Sequence, residues 1–154
     1  VARIIFAGEY YSSQSREAQT LAGSDQLRFI VFSFGFKYGD PVDVNMILDV
    51  RFLPNPYWVG ELRHKTGKER DVADYVLQSR AGESFLGHLL PLLGFLVEQN
   101  EVAGKETIRL AIGCTGGRHR SVAIAERIAD YLASLPVALT VFHRDIDKDG
   151  GSKD

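Results

Sequence analysis

"LAIGCTGGRHRSVAIAERIADYL", Leu110 to Leu132, is the stretch whose reading decides the fold. The apolar, β-branched run Thr107–Ile112 reads as a strand. Cys114–His119 is a glycine-rich turn, and Arg120 or Ser121 opens a helix. Steps of 100° from Ser121 to Ala133 gather Glu126, Arg127 and Asp130 on one narrow polar stripe. Nearly everything else there is Val, Ile, Ala, Leu or Tyr. So wide an apolar face suits a helix laid against a sheet.

The same pattern extends in both directions. Strand-like runs stand at Arg3–Ala7, Arg28–Phe34, Met46–Phe52 and Leu139–His143. Helical patterns stand at Asp71–Ser79 and from about Glu83 to Gln99, where Pro91 and Gly94 predict a kink or two shorter helices. Strands alternating with helices predict one layered α/β domain with a mostly parallel sheet and flanking helices, whose ligands bind at the carboxyl ends of the strands. Its boundaries read as a linker or extension over 1–26, the domain over 27–148 and a flexible tail over 149–154.

Composition narrows the function. At 154 residues, 45% hydrophobic and 25% charged, the chain has the make-up of one soluble globular domain. A formal net charge of −2 excludes a broadly basic nucleic-acid coat and leaves room for a local basic patch. Cys114 is the only cysteine, so neither an internal disulfide nor a cysteine-based metal cluster is expected, which fits a reducing cytosol. The most apolar run, Phe85–Val97, is too short to span a bilayer. The amino-terminal residues lack the regions of a signal peptide and an initial Met, so the chain reads as either a fragment or a free-standing relative.

The turn after the fourth strand has the make-up of an anion site. Gly116 and Gly117 let backbone N–H groups point into a concavity, and the helix start adds donors and the positive end of its dipole. Arg118, His119 and Arg120 surround it with further donors. No nucleotide loop of the G-x-x-x-x-G-K-[ST] or G-x-G-x-x-G type is present. Cys114, five residues, Arg120 and Ser121 match the spacing of cysteine phosphatases, in which a thiolate attacks phosphorus. Gly113 stands where those enzymes often carry His, and no loop aspartate announces itself as the general acid.

Other strand ends supply further candidates. Lys37 follows "FSFGF" at a carboxyl end. Asp49 and Arg51 lie two apart on one strand face, ready to read a sugar or to pair with each other. Pro54-Asn55-Pro56 then gives a rigid loop, a setting for an unusual peptide isomer. "ELRHKTGKER", Glu61–Arg70, mixes cations with carboxylates, as a solvated surface loop does. "FHRD" ends the last strand with His143, Arg144 and Asp145.

In series, "FGFKYG", "DVRFLPNP", "ELRHKTGKE", "GCTGGRHRS" and "HRDIDK" resemble the carboxyl-terminal domain of the RNase adapter RapZ family, which includes YvcJ, over roughly Leu27 to Lys148. The resemblance implies a fold similar to a phosphofructokinase subdomain. It also implies a non-catalytic, cytoplasmic bacterial sensor of amino-sugar metabolism, fused to an amino-terminal nucleotide-binding domain and forming homo-oligomers. Its implied ligand is an amino-sugar phosphate such as glucosamine-6-phosphate, and its implied partners are small RNA and an RNase. No membrane, metal or cofactor is implied. Carried over by motif, Lys37, Asp49, Cys114, Thr115, Gly116, Gly117, Arg118, His119, Arg120 and Ser121 line the sugar-phosphate site. Arg51, Tyr57, His143 and Arg144 are additional candidates, Tyr57 standing where other members place His. Arg63, Lys65, Lys68 and Arg70 are the candidate RNA contacts, and the tail "HRDIDKDGGSKD" alternates acids where RNA-binding members are basic. The alternative is a phosphatase using Cys114 and Arg120.

Overall fold

The computed structural model describes residues 3–6 and 26–148. The expected linker, apart from Arg3–Phe6 and Gln26, and the expected tail therefore lie outside the described residues. Five strands, β1 (Arg3–Phe6), β2 (Arg28–Gly35), β3 (Met46–Asp49), β4 (Thr107–Cys114) and β5 (Ala138–His143), form one sheet in the order β1-β5-β2-β4-β3. Every pairing is parallel. Three helices join them: α1 (Arg70–Leu77), α2 (Arg80–Val102) and α3 (Arg120–Leu132). This is a layered α/β fold, as the alternation predicts.

The alternation along β2 shows how the layers form. Phe29 and Val31 join the main core with Leu110 and Ile112 of β4, Leu139 and Val141 of β5, and the apolar faces of all three helices. Ile30, Phe32 and Phe34 point the other way, with Ala111, into a smaller cluster. That second face is covered by Phe36 and Val44 from the β2–β3 loop and by Phe142, whose ring stacks on Phe32 at 4.6 Å. Among the described residues, the helices therefore share one face rather than flanking both.

Two elements differ from expectation. α2 runs unbroken for 23 residues through Pro91. Proline removes the bond to the carbonyl four residues earlier, that of Gly87. Both residues are exposed, so water replaces the lost donor. β3 ends at Asp49, short of the predicted Phe52. Val50 still donates to the Gly113 carbonyl (2.9 Å), and Leu53 then closes a turn onto Val50 (3.1 Å), drawing the chain off the sheet. Pro54 and Pro56 follow trans peptides, without the unusual isomer.

The parallel register brings Gly35, Asp49, Cys114 and His143 to one edge, where the strands end. Leu93, 1% exposed at the centre of α2, holds that helix in the main core. Leu93→Ala is expected to lower unfolding free energy by about 2–5 kcal/mol, the range for emptying a close-packed leucine site, as urea denaturation would measure.

Candidate functional site

The loop from Cys114 to His119 crosses the carboxyl end of β2 so closely that only glycines fit. A Cβ on Gly35 would meet the Gly116 carbonyl carbon at 2.5 Å, and one on Gly117 would meet the Gly35 nitrogen at 2.5 Å. Gly117 also has φ +74°, a left-handed conformation natural to glycine. Lys37 N–H donates to the Thr115 carbonyl (3.2 Å), tying the two strand ends together. α3 then begins at Arg120 with no side-chain cap from His119. Its amino end faces the glycine turn, the arrangement that favours an anion.

The three residues expected to grip that anion hold the surrounding loops. Arg120, 4% exposed, donates through Nη1 to the carbonyls of Arg51 (2.8 Å) and Leu53 (3.3 Å). Arg118 donates to the carbonyls of His64 (2.7 Å) and Ile146 (3.1 Å). The buried His119 donates through Nε2 to the Arg63 carbonyl (3.0 Å). Gly67 N–H answers by donating to the Arg118 carbonyl (2.9 Å). Gly67 is itself pressed against α3, where a Cβ would come within 2.2 Å of the His119 carbonyl oxygen. The segments 51–53, 63–67 and 146 are thus braced against the cradle from three sides.

Cys114 is 0% exposed and its sulfur lies 3.0 Å from the Ser121 hydroxyl. A nucleophile needs an open line to phosphorus, and this thiol is packed in the main core. Thr115 is half-buried at the turn, whereas Gly116, Gly117 and Ser121 are buried.

The accessible polar groups come from the neighbouring strands. Arg51 Nε and Nη2 grip Asp49 at 2.9 and 2.7 Å, and the guanidinium lies 4.1 Å from the Phe36 ring centre. Both side chains remain about half exposed. Arg51 holds the Asp49 carboxyl below its ordinary range, with Arg120 adding to the effect. The pair the sequence left open therefore forms, and it forms beside the cradle. Lys37 is exposed, with Nζ 5.1 Å from the Tyr38 ring centre. Tyr57 packs edge-on against Trp58 and accepts the Arg63 guanidinium on its ring.

β5 contributes a brace and a relay. Asp145, 0% exposed, accepts Gly35 N–H through Oδ2 (2.8 Å) and pairs with Arg144 (2.8 Å) and Lys148 (2.7 Å). Burial raises its pKa, but these partners outweigh that and hold the carboxyl below its ordinary range. His143 turns away, beneath α3. Its Nδ1 lies 2.7 Å from the buried Ser33 hydroxyl, and Nε2 donates to Glu126 (2.9 Å), which this bond holds ionised to lower pH. Sequence spacing gave no signal for Ser33 or Glu126, because only the parallel register sets Ser33 beside His143. Gly35 and Gly67 were legible only as turn glycines.

The candidate RNA contacts lie along one loop, where Lys68 and Arg70 are exposed. Arg63 donates to the Tyr57 carbonyl (2.8 Å), Lys65 pairs with Asp71, and Arg70 lies 3.8 Å from Asp74. Among the described residues no group of three His, Cys, Asp or Glu side chains could hold a metal ion, and no helix is long and apolar enough to cross a membrane.

Comparison with known proteins gives a consistent result. The family model described as the RapZ C-terminal domain matches residues 27–147. A nucleotide-binding protein of Caldicellulosiruptor saccharolyticus is 46% identical over 142 residues, covering 92% of this chain and 46% of that protein. Similarly named proteins of Lactiplantibacillus plantarum and Nitratidesulfovibrio vulgaris are 48% and 47% identical, covering 77% and 79% of this chain and 40% and 41% of theirs. The chain thus spans less than half the length of these curated relatives.

Asp145 gives a pH-dependent test of the brace. Asp145→Asn keeps an acceptor and removes the charge, with an expected cost of about 2 kcal/mol at pH 7. A depressed folded-state pKa stabilises above the unfolded value and is lost as pH falls through the folded one. The gap between the two proteins should therefore close below about pH 4, as urea titrations across pH would measure.

Proposed function

Since the chain belongs to the RapZ C-terminal domain family, we propose that it is a regulatory adapter domain that senses an amino-sugar phosphate without chemical turnover. The observation that carries this reading is the uncapped amino end of α3 beneath a turn of buried glycines. Such a surface offers backbone donors and a dipole but no side-chain nucleophile. The phosphate lies against the Gly116–Ser121 turn, and the half-exposed Asp49–Arg51 pair with Lys37 addresses the sugar end. Asp49, ionised through Arg51, is the natural counter-charge for a sugar ammonium group. Arg118, His119 and Arg120 act as the frame, with Thr115 at the turn and Tyr57 and Arg144 on neighbouring loops.

The resemblance extends the proposal to a cytoplasmic regulator that works with small RNA and an RNase, self-associates and is joined to a nucleotide-binding domain. Of the basic loop residues, the exposed Lys68 and Arg70 are the ones through which an RNA phosphate is most directly met, since Arg63 and Lys65 hold the Tyr57 carbonyl and Asp71. The phosphatase alternative needs Cys114 to leave the core and Arg120 to release two carbonyls.

Phosphorus NMR on glucosamine-6-phosphate decides between the readings. The expected result is a shifted or broadened sugar-phosphate resonance, no inorganic phosphate over hours, and affinity at least ~10-fold weaker in Arg51→Ala. A growing inorganic phosphate signal that disappears in Cys114→Ser makes the chain an enzyme. An unchanged spectrum removes this ligand.

A further inference from the structure

The narrow polar stripe of α3 has a place that neither the core nor the cradle explains. Glu126, Arg127 and Asp130 line one side of a groove between α3 and α1, of about 420 Å³. That volume is within the range of small-molecule sites. Ala73 and Leu77 of α1 face the stripe and, with Ala123 of α3, give the groove its apolar lining. Gly67 and Lys68 close it at the loop that leads into α1. No residue of the groove belongs to the turn from Cys114 to Ser121.

Glu126 is the anchor of this groove. Its side chain is 33% exposed, and His143 holds Oε1 at 2.9 Å. That bond outweighs the effect of burial, and the charge of Lys68 adds to it, so the carboxyl stays ionised below its ordinary range. Lys68 is thus near enough for its charge to act on Glu126. The two form no ion pair, which leaves a gap between opposite charges. Arg127 and Asp130 likewise make no hydrogen bond or ion pair with another described residue.

We propose that the α1–α3 groove binds a small aliphatic zwitterion, a free α-amino acid with an apolar side chain. Such a molecule carries its ammonium and carboxylate on one carbon. The ammonium meets Glu126, the carboxylate meets Lys68, and each makes a charge-assisted contact across the gap. The side chain lies on Ala73, Leu77 and Ala123, where its burial supplies the remaining driving force. The charges of the groove choose this class. A simple amine would gain Glu126 and Asp130 but meet Lys68 and Arg127, and a simple carboxylate would meet the reverse. Only a ligand of both signs answers both pairs. The inference does not depend on what the cradle binds.

Amide NMR of this chain, titrated with L-leucine, tests it. The expected result is saturable shifts that are largest at Lys68, Ala73, Ala123 and Glu126, with a dissociation constant on the order of 1 mM. Isoamylamine and isocaproate keep the aliphatic body with one charge each, so each should bind at least ~10-fold more weakly. Lys68→Ala, at an exposed loop position, should weaken leucine binding by a similar factor. Glu126→Gln keeps an acceptor for His143 and should do the same, circular dichroism checking that both variants fold. No saturable shift at about 50 times that concentration, or shifts centred on the Gly116–Ser121 turn, overturns the inference. So does an analogue that binds as well as leucine, or a folded variant that binds like the unaltered chain.

Discussion

Everything at the carboxyl edge depends on one close approach, that of the β2 end to the turn after β4. With Gly35 and Gly117 in place, main chain lies on main chain at distances no side chain allows. Asp145 then fixes Gly35 from the turn after β5, and the Lys37–Thr115 bond fixes the exit. Three segments distant in sequence are thereby locked around a turn of six residues. The turn is held in place because it cannot relax into the sheet beneath.

The chemistry at this edge is divided between main chain and side chains. The cations of the turn serve the structure, bridging to carbonyls of the 51–53, 63–64 and 146 segments. Buried guanidinium and imidazole groups need such acceptors, because an unsatisfied buried donor costs about 1–3 kcal/mol. The accessible polar groups stand one strand away, at the end of β3 and after β2, where Asp49, Arg51 and Lys37 are exposed. The anion-holding and sugar-reading parts of the proposed site therefore come from different elements.

Much of this was legible in the sequence, for physical reasons that differ from element to element. The strand–turn–helix at β4 and α3 is stated by local pattern, since apolar periodicity, paired glycines and a narrow polar stripe all agree. α2 was legible as apolar but not as continuous: Pro91 breaks a helix in isolation, and whether water can serve the freed carbonyl depends on which side faces solvent. The length of β3 was misread because Val50–Phe52 is as strand-like as Met46–Asp49, and a tertiary turn ends the strand. For Arg120, spacing shows only that a cation is near the turn. Its direction follows from the Arg51 and Leu53 carbonyls, about seventy residues away in the chain. The Ser33–His143–Glu126 relay was invisible for the same reason, being made of three elements whose meeting only the sheet order determines.

The bracing of the turn by residues 63–67 has a consequence for the motions of the domain. His119 and Arg118 hold that segment through the Arg63 and His64 carbonyls, and Gly67 N–H returns a bond to the Arg118 carbonyl at an approach only glycine permits. If the segment lifts, three bonds to the turn are lost together, and the cradle loosens as one cooperative unit rather than residue by residue. The segment is continuous with the basic loop and leads directly into α1. A macromolecule that grasps this loop would therefore pull on the frame of the proposed site, a mechanical linkage between two surfaces carried by five residues of backbone.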